Sequence, residues 1–106
     1  MTEEIKRDLE TVLTICKNVA EIYVIGDFSI DRTDPYLYVF VNEEDSKVDD
    51  YQCEVMNYIL EKYDAWGLNL GNNIFVYSNI TNLDIAKTVK SGLEEYLVYK
   101  DWRWCC

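Results

Sequence analysis

The chain has 106 residues, with twenty Asp and Glu against ten Lys and Arg, no histidine, and a formal net charge of -10. That length sets one domain able to bury about two-thirds of its unfolded surface, and 49% hydrophobic with 28% charged residues excludes a disordered acidic tail. So negative a field repels nucleic-acid phosphates and anionic bilayers and attracts cations, so the expected partner is a basic protein, with no direct nucleic-acid or membrane binding.

Thr2 followed by Glu3 and Glu4 predicts a helix start, with the acids at the favourable end of the dipole. Ile5, Leu9, Val12, Leu13 and Cys16 recur at helical spacing and carry this helix to about residue 18. Segments 21–28 (EIYVIGDF) and 36–42 (YLYVFVN) are rich in β-branched and aromatic residues and predict two strands. Both are apolar at nearly every position, so the sheet is expected to be buried on both faces, with helices on both sides. Asp34-Pro35 marks an extended turn before the second strand.

Ser46 with Asp49 three residues on resembles a capping box, and Val48, Tyr51, Val55, Ile59 and Tyr63 predict a second helix to about residue 63. Segments 66–70 and 74–78 read as a hairpin around Gly71, Asn72 and Asn73. Thr81 with Asp84 repeats the capping pattern, and Ile85, Ala86, Val89, Leu93, Tyr96 and Leu97 form the apolar face of a third helix that contains Gly92. The expectation is a single α+β domain over residues 1–106, of order α-β-β-α-β-β-α, with a four-stranded sheet packed by three helices.

No apolar run approaches a membrane span, and the start MTEEIKRDLE lacks a basic region followed by an apolar one, so a cytoplasmic protein is expected. Cys16 and Cys53 in helical segments and the adjacent pair Cys105-Cys106 make no disulfide framework and point to reduced thiols.

Without histidine, a Ser-His-Asp or Cys-His arrangement and a His-based zinc site are excluded within the chain. Gly26, Gly67, Gly71 and Gly92 fit neither phosphate-binding glycine pattern. Asp27, Asp31 and Asp34 crowd one loop, but the alternate acids, central glycine and terminal Glu of a calcium loop are missing. They read as a polar loop that uses Asp for turns and Arg32 for charge balance. No catalytic residue, metal or cofactor is expected, and the chain is read as a non-enzyme.

Segment 20–41 (AEIYVIGDFSIDRTDPYLYVFV) is similar in layout to the core of small nucleotidyltransferases, with Gly26 at the position of their glycine and Asp34 at that of their first aspartate. Asp27 stands where that family has serine, Tyr36 where it has the second aspartate, and NIFVYS offers no third carboxylate. Two-metal catalysis needs those paired ligands, so the likeness implies at most an inactive relative. Cys105-Cys106 resembles the ending of prenylated small GTPases, whose nucleotide motifs are absent, and no C-x-x-C redox motif is present.

Glu43, Glu44, Asp45, Asp49, Asp50 and Glu54 crowd the end of a strand, a loop and the start of a helix. The dipole accounts for Asp49 and Asp50, and a solvated face is the plainest account of the rest. Tyr36, Tyr38, Tyr51 and Tyr58 are interleaved with the acids, however, and the tail YKDWRW adds Tyr99, Trp102, Arg103 and Trp104. Aromatics beside charges are the composition of protein interfaces. The two indoles can equally pack over one end of the core. The candidate contact residues are Glu43, Glu44, Asp45, Asp49, Asp50, Tyr51, Glu54, Trp102 and Trp104.

In size, charge and style the chain resembles the small acidic immunity proteins that bacteria pair with secreted toxins, including those of contact-dependent growth inhibition. The resemblance implies a one-to-one complex in the cytoplasm with a cognate basic toxin domain, nucleases being the first class to consider because their clefts are built to hold phosphates. No motif carries it, so no family residue is placed on a position here. A phage-encoded acidic mimic of nucleic acid that inhibits a host defence protein shares the acidity and stays open beside it, as does the inactive nucleotidyltransferase-like domain.

Overall fold

The computed structural model describes residues 3–26, 36–63 and 73–100. Helix α1 (Glu3–Ile15) stops three residues before the expected end because Asn18 turns into the left-handed region at φ 53°. Asparagine tolerates this conformation better than most residues, and it redirects the chain into a strand within one turn. Strand β1 (Val19–Ile25) follows and ends at Gly26, whose φ of 77° suits a residue with no Cβ. The Asn18 carbonyl accepts the Asn42 N–H at 2.8 Å, tying this corner to the far end of β2 (Tyr36–Val41).

Helix α2 (Asp45–Tyr63) leads to β3 (Ile74–Ser78), then α3 (Leu83–Ser91), a 3-10 turn Glu94–Tyr96 and β4 (Leu97–Lys100). The sheet is mixed, in order β3-β2-β1-β4, with β1 antiparallel to β2 and β4, and β2 parallel to β3. The class is α+β with three helices and four strands, as expected, but the order is α-β-β-α-β-α-β.

The difference lies in the last third of the chain. The third helix was expected to run through Leu97, yet it ends at Gly92, and residues 97–100 become the fourth strand, pairing Glu21 with Lys100 and Ile22 with Tyr99. Glycine weakens a helix by about 1 kcal/mol relative to alanine, whereas the free edge of β1 offers a ladder of backbone partners. The expected strand 66–70 lies outside the described residues.

Alternation along the strands sorts side chains to two faces. On one, Ile22, Leu37, Val39, Val41, Ile74 and Val76 pack against Leu9, Val12 and Cys16 of α1 and Val48, Val55 and Ile59 of α2. A fully buried Val or Ile contributes about 1.5–3 kcal/mol, so this is the larger part of the core. On the other, Tyr23 and Phe40 pack against Ala86 and Leu93. This second face is a ladder of rings, with Tyr38 stacked on Phe75 at 5.1 Å and Phe40 on Tyr77 at 5.4 Å. Helices therefore lie on both sides, as the two-faced apolar strands implied.

The buried carboxylate of Asp8 joins α1 to α2, accepting from the Tyr58 hydroxyl at 2.8 Å and the Lys62 ammonium at 2.6 Å. These charge-assisted bonds offset its desolvation. Among the described residues no helix is long and apolar enough to cross a membrane.

Cys16 is buried in the core and Cys53 is exposed on α2. Burial first, and the nearby charge of Glu54 second, push the Cys16 thiol up to about 12 from its ordinary 9.0. A raised pKa means the fold favours the neutral thiol. Its contribution to stability is complete below pH 9.0 and is lost as the pH climbs toward about 12. In a Cys53→Ser/Cys105→Ser/Cys106→Ser variant, the remaining thiol is expected to resist a disulfide reagent at pH 8 until denaturant is added. Immediate native-state labelling would show that this thiol is not sealed.

A carboxylate face organised by Ser78 and Thr81

The acidic segment follows β2 and enters α2, and it is held from the side by the turn after β3. Ser78 is fully buried and is the centre of that hold. Its hydroxyl donates to the Glu43 carbonyl at 2.6 Å and accepts the N–H groups of Ile80 at 3.1 Å and Thr81 at 2.9 Å. One side chain thus satisfies three backbone groups from two segments that meet only in the folded state.

Thr81 completes the joint. Its hydroxyl accepts the Asp45 N–H at 3.0 Å, so it caps the start of α2 from 36 residues away in sequence. The Asn82 amide donates to the Asp45 carboxylate at 3.1 Å. Both expected capping boxes are corrected by this arrangement. Ser46 already lies within α2, and Thr81 serves α2 rather than α3, whose N-cap Asn82 makes no side-chain capping bond. The physical reason is that an orphan N–H at a helix start takes whichever oxygen the tertiary fold brings to it.

Replacing Ser78 by alanine leaves the part-buried Glu43 carbonyl and two N–H groups without their partner. The expected loss is about 2–3 kcal/mol, read by urea unfolding. A loss below about 0.5 kcal/mol would mean that water enters and replaces the hydroxyl.

The candidate contact residues divide into three groups. Glu43 is half-buried and works within the fold, accepting from the Asn18 amide at 3.0 Å and meeting the Tyr51 hydroxyl. Burial and the Glu43 charge raise the Tyr51 phenol above its ordinary range, so it stays neutral and packs against the first core face. Asp45 is exposed but tied to Asn82. Glu44, Asp49, Asp50 and Glu54 are exposed, and among the described residues their side chains make no hydrogen bond or ion pair. Trp102 and Trp104 lie outside the described residues, as do Asp27, Asp31 and Asp34.

Asp50 and Glu54 stand at i,i+4 spacing on α2, where like charges cost about 0.2–0.5 kcal/mol. The dipole helps carboxylates only in the first turn, where α2 has Asp45, so contrary to expectation it does not account for Asp49 and Asp50, nor does it reach Glu54. These acids are therefore not explained by helix stability. What the four exposed carboxylates provide is negative charge spread over residues 44–54, a segment whose start is fixed by the Ser78 and Thr81 joint.

Sequence reading missed Ser78, Thr81 and Asn82 as organisers of this face. The available signal was the polar run SNITN after an apolar strand, which by itself marks a turn and names no partner. Among the described residues no group of three or more Cys, Asp or Glu is placed to hold a metal ion. Compared with protein-family models, with curated proteins and with solved structures, the chain matches none.

Proposed function

We propose that this chain is a cytoplasmic immunity protein that binds a cognate basic toxin domain, a nuclease in the first instance, and neutralises it by steric and electrostatic blockade in a one-to-one complex. The observation that supports this reading is the set of exposed carboxylates Glu44, Asp49, Asp50 and Glu54, without a hydrogen bond or ion pair among the described residues, on a chain of net charge -10. Such a surface raises the rate of encounter with a cationic protein by orders of magnitude and could occupy or overhang a cleft shaped for phosphates. The chain itself needs no catalytic group for that task.

The test is an affinity pull-down of the tagged chain from the strain of origin, followed by expression of the captured protein in a cell without this chain. The expected result is one basic protein at near-equal stoichiometry that stops growth, with growth restored by co-expression of the chain. Capture of a DNA-binding defence protein that DNA displaces would favour the nucleic-acid mimic instead. A captured protein that does not impair growth would overturn immunity.

A further inference from the structure

The turn after β3 and the first residues of α3 do more than brace the acids, because together they carry the most exposed large apolar side chains of the described residues. Ile80 is 58% exposed, Ile85 54% and Leu83 43%. They line an open hollow of about 430 Å³, with Thr81, Asn82 and Asp84 between them. Ile85 had been expected on the buried face of the third helix. The helix is instead seated through Ala86 and Val89, with Leu93 just beyond its end, which turns Ile85 to solvent.

This apolar corner is continuous with the acidic segment. Asn82 and Thr81 bond directly to Asp45, Asp84 lines the hollow, and Glu44 precedes Asp45 while Asp49 follows it by four residues, one helical turn on. Lys47 and Lys87 are the cations nearest in sequence on the two segments, against Glu43, Glu44, Asp45, Asp49, Asp50 and Asp84. An apolar centre beside a charged rim is the anatomy of a protein interface.

We infer that Ile80, Leu83 and Ile85 form the anchor of the partner contact, receiving an apolar side chain that the basic partner presents amid lysines or arginines. Charge decides the occupant. A second copy of this chain docked there would set Asp45 and Asp84 against another surface of a protein of net charge -10, and like-charge contact is costly. A cationic surface meets the same rim with attraction while its apolar residue fills the hollow. The anchor rests on the immunity reading for who the partner is, and on charge and exposure alone for its chemistry.

Two measurements test it. First, a photo-crosslinking benzoylphenylalanine is placed at position 80 or 85 of the full chain in the strain of origin, with position 14 on α1 as control. The expected crosslink is to a basic protein, through a peptide with an apolar residue among Lys or Arg, and is absent from position 14. A crosslink to a second copy, to an acidic or neutral protein, or none at all from positions 80 and 85 overturns the anchor.

Second, the Ile80→Asp/Ile85→Asp variant is compared with the wild type for retained partner and for growth rescue. Added acids would strengthen a purely electrostatic contact, so an expected loss of at least tenfold in retained partner isolates the apolar anchor. Retention equal to or above the wild type, with full rescue, overturns the anchor and leaves immunity standing. Failure of the wild type to rescue growth overturns immunity, while the crosslink still decides the anchor.

Discussion

Replacing Phe40 by alanine is expected to destabilise the fold by about 3–5 kcal/mol, a large fraction of the roughly 5–15 kcal/mol that holds a small domain together. Phe40 is completely buried on the aromatic face of the sheet. Its ring meets Tyr23 edge-on at 5.5 Å and stacks on Tyr77 at 5.4 Å, while the Lys90 ammonium sits 5.2 Å from its centre. That lysine also bonds Glu21 at 3.0 Å and Asn79 at 3.2 Å, so the ring is the floor beneath a polar network joining β1, the turn after β3 and α3. Truncation removes the transfer energy of the ring, opens a cavity and leaves Lys90 without its cation–π partner. Urea unfolding should show a lower midpoint with an unchanged slope. Phe40→Leu keeps most of the volume and is expected to cost less than about 1.5–2 kcal/mol. A loss below about 1 kcal/mol for the alanine variant would mean that α3 collapses onto the sheet and fills the space.

The second large effect is on binding rather than stability. The Glu44→Lys/Asp49→Lys/Asp50→Lys/Glu54→Lys variant moves the net charge from -10 to -2, since each of four reversals adds two units. If the proposed basic toxin domain is the partner, its association is expected to slow by roughly 100- to 1,000-fold, about 3–4 kcal/mol, with a smaller effect on dissociation. Association of the wild type should slow as salt is raised, and that of the variant should respond much less. Stopped-flow association at several ionic strengths reads both quantities. An association rate within a factor of three of the wild type at low salt would remove these acids from the contact. Glu43 and Asp45 are left unchanged because Asn18 and Asn82 bond to them, and reversing them would confuse lost structure with lost binding.

Much of the architecture was legible because it is local. Leu9, Val12 and Cys16 share one helical stripe, and Val48, Val55 and Ile59 another, and both stripes are buried. Strands β1 and β2 carry apolar residues on both faces, and helices lie on both sides. The acids of the candidate site were visible as composition, although which of them face outward was not. Thr81 and Asp84 matched a capping pattern three residues apart, yet the Thr81 hydroxyl went to Asp45.

The sequence by itself determined the class of fold, the apolar stripes and the net charge of -10, because periodicity and composition act within a few residues or over the whole chain. Only the tertiary structure decided the rest. Residues 93, 96 and 97 continue a helical spacing, but pairing with the open edge of β1 drew 97–100 into a strand. Ser78 satisfies groups on two segments that no local pattern links, and Ile85 faces outward because Tyr23 and Phe40 of the sheet take up Ala86 and Val89 on the other side of the helix. In each case the deciding partner lies far away in the chain, and a backbone group or helix face settles on the best partner that folding brings within reach.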